Sequence, residues 1–278
     1  MAFASPEKPR IYKSVGKCIY CERDPAEGAV LTKEHIVPLS LKGSLLLRDG
    51  SCFDCAKVIS RYEQDCARIF FGAFRQYRGM RSNRHKKDSR KIPVDTWKAP
   101  GEKVTTWHEP NEFPDVLFFL QFLHLPYVLI GLEKTGQPQM IPRVSCREGF
   151  DLTSFMGKTG GQFDPYKYAQ LMAKIAHGYA TARLGLGSFR PLALDLILGR
   201  TLQWWPFVGG PNKLPPQEEG HCLRLDPFFD HHRRKQFVTG TVRLFAGCNS
   251  PRYIVAVGEL PYDSRLLLDL PPEPEFSS

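Results

Sequence analysis

Apolar positions recur at helical spacing in two stretches of the chain. Val58, Tyr62, Cys66, Ile69, Phe70, Ala73 and Tyr77 follow one another mostly at steps of three and four. At 100° per residue they share one helix face, and Gly79 supplies a C-terminal stop. A second helix opens on Asp164 and Pro165, an N-cap side chain followed by a first-turn proline. It carries Tyr168, Leu171, Met172, Ile175 and Tyr179 on an apolar face and ends at Gly185. A short helix is predicted over 191–198. Residues 237–245 and 253–257 alternate and are rich in β-branched side chains, which predicts paired strands across a turn at 249–251. The most apolar run, 116–132, is shorter than the roughly 20 residues of a membrane span. Gln121, His124 and Pro126 interrupt it, so it reads as buried core.

Proline and glycine divide the pattern. Residues 1–16 read as a flexible arm, 17–91 as a cysteine-bearing module, and 92–115 as a linker because of Pro93, Pro100, Gly101, Pro110 and Pro114. Residues 116–270 read as a mixed α/β domain and 271–278 as a disordered tail. The 278-residue length accommodates one large domain or two small ones. Hydrophobic residues at 42% and charged residues at 24% exclude a wholly disordered chain. No signal-peptide core precedes Lys17, so the expected location is the cytoplasm.

Cysteine spacing carries the strongest chemistry. Cys18 and Cys21 form one Cys-x2-Cys pair, and Cys52 and Cys55 form a second after 30 intervening residues. Two such knuckles complete a closed tetrahedral zinc site that leaves no open position for substrate. Cys66 reads as packing, and Cys146, Cys222 and Cys248 have no ligand spacing. Between the knuckles stand Glu34 and His35. A carboxylate can hold a hard divalent ion, and a neutral imidazole can take a proton from water.

The order of these elements, CIYC, then EHIVPLSLKG, then SCFDC, resembles the HNH endonuclease family in its four-cysteine zinc variant. The likeness covers residues 17–60 and extends at most to 91. It implies an α+β protein with an N-terminal zinc-stapled ββα-metal module followed by the mixed α/β domain. It also implies Glu34 as a ligand of a catalytic Mg2+ or other divalent cation, His35 as general base, and a phosphodiester as substrate. Two departures are visible. The position after the last cysteine, where members often carry Asn or His, is Ala56. The central Asn has no counterpart in 45–51. Asp49, Glu63 and His85 are candidate substitute ligands. Against those roles stand a turn residue, a partner for an arginine, and one more member of a basic patch.

The net charge of +9 is unevenly placed. Residues 1–95 hold 19 basic and 11 acidic side chains, and the remainder 19 and 18. Arg61, Arg68 and Arg75 lie at heptad spacing on the helix opposite its apolar side. From Arg75 to Lys91 there are eight basic residues and one acid. Arg61, Arg68, Arg75, Arg78, Arg81, Arg84, Lys86, Lys87, Arg90 and Lys91 are therefore the expected phosphate contacts, since clustered cations gain affinity by releasing counterions. The expected partner is nucleic acid, DNA ahead of RNA, with no membrane and room for a protein partner on 116–270. The functional expectation is a metal-dependent endonuclease. Its alternative is a zinc-stabilised DNA- or RNA-binding protein without catalysis. The segment Gly157-Lys158-Thr159 lacks the first glycine of a phosphate-binding loop. His231-His232 reads as a surface pair and His177 as a core histidine.

Overall fold

The computed structural model describes residues 9–78, 80, 92–99, 102–109, 116–145, 163–216 and 218–270. Gly79, Cys146, the 157–159 segment and the 271–278 tail lie outside them. The first layer is a three-stranded sheet of β1 (Arg10–Tyr12), β2 (Leu31–His35) and β3 (Leu45–Cys52). β3 is central, parallel to β1 and antiparallel to β2. Part of the expected arm thus pairs as β1, a strand too short for any periodicity to announce. β3 runs straight into α1 (Phe53–Ile69), giving the order ββα.

The helix predicted through Tyr77 is broken in two. α1 ends at Ile69 with Phe70 as its C-cap, and α2 (Gly72–Tyr77) follows after a break at 70–71. Phe70, Phe71 and Phe74 are all fully buried. The break at 70–71 thus falls where both rings enter the shared core. The buried face of α1 is Cys55, Ile59, Tyr62, Cys66 and Ala67, which leaves Val58 half-buried and Tyr77 exposed.

The segment read as a linker contains an antiparallel hairpin, β4 (Ile92–Ala99) and β5 (Glu102–His108). Pro93 sits near the start of a two-stranded ribbon, where a missing N–H is tolerated. β6 (Leu117–Phe122) is buried along its whole length and pairs with β7 (Met140–Ser145), with α3 (Tyr127–Ile130) between them. No helix among the described residues is long and apolar enough to cross a membrane.

The second half is built around α4 (Pro165–Leu184). Asp164 caps it by accepting from the Tyr166 and Lys167 amides, and Gly185 ends it, as the sequence predicts. The expected amphipathic pattern is absent, because every residue from Tyr168 to Thr181 is buried. The reason is its central position. One side packs on α1 and the other on the sheet formed by β10 (Cys222–Asp230), β11 (Lys235–Arg243) and β12 (Tyr253–Leu260). β8 (Arg190–Pro191) and β9 (Val208–Gly209) both pair with β12. α5 (Leu194–Ile197) is one turn within the predicted 191–198 helix. A Cβ on Gly240 of β11 would stand 2.7 Å from Ala176 Cβ, so glycine permits the close approach of α4 to the sheet. The predicted β11–β12 pair is present, and β10 extends it.

One apolar core runs through both halves. It joins Ile19, Ile36, Tyr62, Phe70 and Phe71 from the first with Phe119, Tyr168, Ile175, Val242 and Tyr253 from the second. Phe70 lies 4.5 Å from the Tyr168 ring, and Phe71 lies 5.6 Å from Phe245. The two halves distinguished in the sequence are packed faces of this shared interior.

Candidate metal centre and the Glu34 site

The first knuckle is a tight turn. The Cys18 amide donates to the Arg23 carbonyl at 2.9 Å and the Glu22 amide to Cys18 at 2.8 Å. Glu22 takes a left-handed conformation, φ 58°, to close it. The Ile19 amide then docks the turn onto β3 through the Gly50 carbonyl at 2.9 Å. Cys52 ends β3 and Cys55 lies in the first turn of α1, so the strand-to-helix junction presents the second pair.

The four sulfurs all lie within 4.8 Å of one another, and Cys21 and Cys52 are 3.7 Å apart. A tetrahedral ion with Zn–S bonds of about 2.3 Å needs an edge of about 3.8 Å. The donor set therefore fits zinc. Three of the cysteines are buried. The Cys18 thiol is drawn down to about 4, chiefly by hydrogen bonding with Cys55, and the Arg23 guanidinium reaches Cys52 Sγ at 3.6 Å while pairing with Asp54 at 2.7 Å. A positive group beside thiolates offsets their charge.

Between the knuckles the bulged β2–β3 pair turns Glu34 inward, where it is 5% exposed. Gly43 is obligatory in this segment, since a Cβ there would lie 2.1 Å from the Val37 carbonyl oxygen. Glu34 Oε1 meets Lys174 Nζ at 2.6 Å, and Glu63 Oε1 of α1 meets the same nitrogen at 2.8 Å. Lys174 also donates to the carbonyls of His35 and, at 3.2 Å, Ile36. The Lys174 side chain is 1% exposed. Burial lowers its pKa, but Glu34 and Glu63 outweigh that and hold the ammonium above its ordinary value. Burial pushes Glu63 up, with Lys174 opposing. Tyr20 and Tyr62 enclose the group. Their phenols are pushed up by burial and by both carboxylates, and so stay neutral.

His35 follows Glu34 but is half-buried rather than enclosed. Burial lowers its pKa, the Lys174 charge adds to this, and Glu34 opposes it. Asp49 occupies a left-handed position, φ 51°, in the bulge of β3, which is the geometry of a turn residue. Among the described residues, the four cysteines are the one group of three or more potential ligands close enough to share an ion. Glu34, His35, Asp49 and Glu63 do not form a second. A catalytic Mg2+ therefore does not fit these residues as they stand, because an ammonium lies between the two carboxylates.

Of the expected phosphate contacts, Arg61 and Arg68 are exposed on α1. Arg75 is turned inward, donating through Nε to the Ser40 carbonyl at 2.7 Å and through an η-nitrogen to Ala67 at 3.1 Å. It holds the 39–41 turn after the Glu34–His35 strand and is a structural residue. Arg78 lies over the Phe74 ring at 5.4 Å. Arg81, Arg84, His85, Lys86, Lys87, Arg90 and Lys91 lie outside the described residues. His231 and His232 are exposed. His177 is buried with Nε2 against the Ile19 carbonyl at 2.8 Å.

Sequence reasoning missed Lys174, and a signal existed. Gln170, Lys174, His177 and Thr181 step by four, three and four through the stretch 168–181, which otherwise holds only apolar, aromatic and small residues. That spacing is a polar stripe on a buried helix, and two of its members grip backbone carbonyls of the cysteine-bearing half. Comparison of the chain with protein-family models, with curated proteins and with solved structures finds no match.

Proposed function

We propose that this chain is a zinc-stapled nucleic-acid-binding protein on an HNH-type ββα scaffold, and that it holds a strand without cutting it. The observation that carries the binding reading is the solvent face of α1. Lys57, Arg61 and Arg68 stand exposed along it, and none has an ion-pair partner among the described residues. Lys57 and Arg61 are an i,i+4 like-charge pair, which destabilises a helix unless an anion is present. The scaffold reading rests on the ββα order, the cysteine pairs that flank the β2–β3 hairpin in sequence and meet in space, and the motif resemblance between them.

The absence of cleavage follows from Lys174. Metal-assisted hydrolysis needs a cation that touches both carboxylate and scissile phosphate. Here the carboxylate is enclosed and already neutralised by an ammonium. The test is retention of labelled DNA and RNA by the zinc-loaded protein at rising salt, beside a plasmid-nicking assay with magnesium or manganese. Binding that weakens linearly in log salt, without nicks, is the expected result. No retention at low salt overturns the binding reading.

A second reading, the metal-dependent endonuclease, is favoured by one observation. His35 is partly accessible and its imidazole is held neutral near pH 7, the state a general base requires. Nicking that EDTA and His35→Ala both abolish would establish it in place of the first.

A further inference from the structure

An exposed aromatic stands at the head of the basic stripe on α1. Phe53, the first residue of the helix, is 63% exposed, and Val30 beside it is 70% exposed. They are backbone neighbours where the β2–β3 ladder ends and α1 begins, since Leu31 pairs with Cys52 and the Phe53 amide donates to the Val30 carbonyl at 3.1 Å. That hydrogen bond makes the two exposed apolar residues neighbours at the strand-to-helix junction. The zinc knuckle fixes its base, because Cys52 and Cys55 flank Phe53 in sequence.

From that junction the exposed positions Lys57, Arg61, Gln64 and Arg68 continue at steps of four, four, three and four. That is one helix face, about 22 Å long at 1.5 Å per residue. Its charged members are all cationic. Of the acids of α1, Asp54 pairs with Arg23 at 2.7 Å, Glu63 with Lys174 at 2.8 Å and Asp65 with Lys167 at 2.9 Å. A surface that joins one flat exposed ring to a line of unpaired cations is complementary to a polyanion with accessible bases. In a duplex the base faces are stacked on one another and closed to a phenyl ring. In a single strand they are open.

We infer that Phe53 and Val30 form a base-stacking platform for single-stranded nucleic acid, with Lys57, Arg61 and Arg68 tracking its backbone. The inference deepens the binding function proposed above and rests on it. The platform accepts any base, since stacking on a ring is tolerant of sequence.

The test is fluorescence anisotropy of a labelled single strand and of the duplex of equal length, titrated with the full zinc-loaded chain. The proteins compared are wild type, Phe53→Ala and Phe53→Trp. Phe53 is exposed, so both variants should melt with wild type. The expected result is tighter binding of the single strand than of the duplex by wild type. Phe53→Ala should lose about fivefold or more on the single strand only, and Phe53→Trp should retain affinity. Equal affinity for strand and duplex, or an unchanged Phe53→Ala, overturns the platform while leaving nucleic-acid binding intact. Failure of wild type to bind either probe overturns the underlying function itself.

Discussion

Lys174 Nζ lies 2.6 Å from Glu34 Oε1, across 140 positions of sequence, with the lysine side chain 1% and the glutamate side chain 6% exposed. Glu63 reaches the same nitrogen from α1 at 2.8 Å. One ammonium thus ties β2, α1 and α4 together at the centre of the shared core. It lies within ion-pair distance of both carboxylates.

Removing that cation leaves two buried carboxylates facing each other. Breaking a buried pair by deleting one partner costs about 3–5 kcal/mol, so Lys174→Met should lower the urea midpoint of unfolding by a corresponding amount. The triple variant Lys174→Met, Glu34→Gln, Glu63→Gln removes every charge together and should recover a large part of that loss. A triple variant no more stable than Lys174→Met would show that the lysine acts by packing and not by charge.

The cysteine cluster predicts a fold that depends on metal. Structural zinc contributes on the order of 10 kcal/mol in zinc-finger peptides near neutral pH, and here the ion would link the first knuckle to the junction of β3 and α1. We expect one zinc per chain by elemental analysis. Chelation or Cys55→Ser should remove cooperative unfolding of the ββα layer and expose the Cys18 and Cys52 thiols to modification. A metal-free chain with an unchanged melting curve would count against the site.

Two arginines in one predicted basic patch should behave in opposite ways. Arg61→Ala removes an exposed, unpaired charge, so stability should hold within about 0.5 kcal/mol. The slope of log affinity against log salt should then fall by about one. Arg75→Ala leaves the carbonyls of Ser40 and Ala67 without their donor. It should cost about 1–3 kcal/mol of stability with the salt slope unchanged. Equal salt slopes for Arg61→Ala and wild type would place the ligand elsewhere.

That contrast marks the boundary of what the residues disclose on their own. Local chemistry is legible. The two Cys-x2-Cys spacings locate the cluster, Asp164-Pro165 locates the start of α4, and alternation locates β11 and β12. What is not legible is which surfaces meet. Arg75 has the same spacing as Arg61 and Arg68, and only the break at Phe70 and Phe71 turns it inward. α4 looks amphipathic by its apolar residues, yet Lys174 and His177 are buried too, because their partners are backbone carbonyls distant in sequence. Glu34 and His35 are adjacent, and the sequence alone presents them as one unit. The alternation of a strand sends one into the core and leaves the other half-exposed.

Acid should loosen the contact between the sheet and the turn after Pro38, through His221. Its Nδ1 accepts from the Phe245 amide at 3.2 Å, so Nε2 carries the proton and donates to the Leu41 carbonyl at 2.8 Å. Both nitrogens are used only by the neutral ring. Burial lowers the pKa of His221 below its ordinary 6.5. The unfolded chain therefore binds the proton more readily than the folded one, and stability rises with pH across that interval. The contribution is complete above pH 6.5 and is lost as pH falls from there towards the depressed folded value. Urea midpoints measured between neutral and acidic pH should decline in wild type. The decline should be shallower in His221→Gln, whose side chain does not titrate but can still donate to Leu41. Parallel curves for the two proteins would show that His221 takes up its proton equally in the folded and unfolded chain, and that the acid response belongs to other groups.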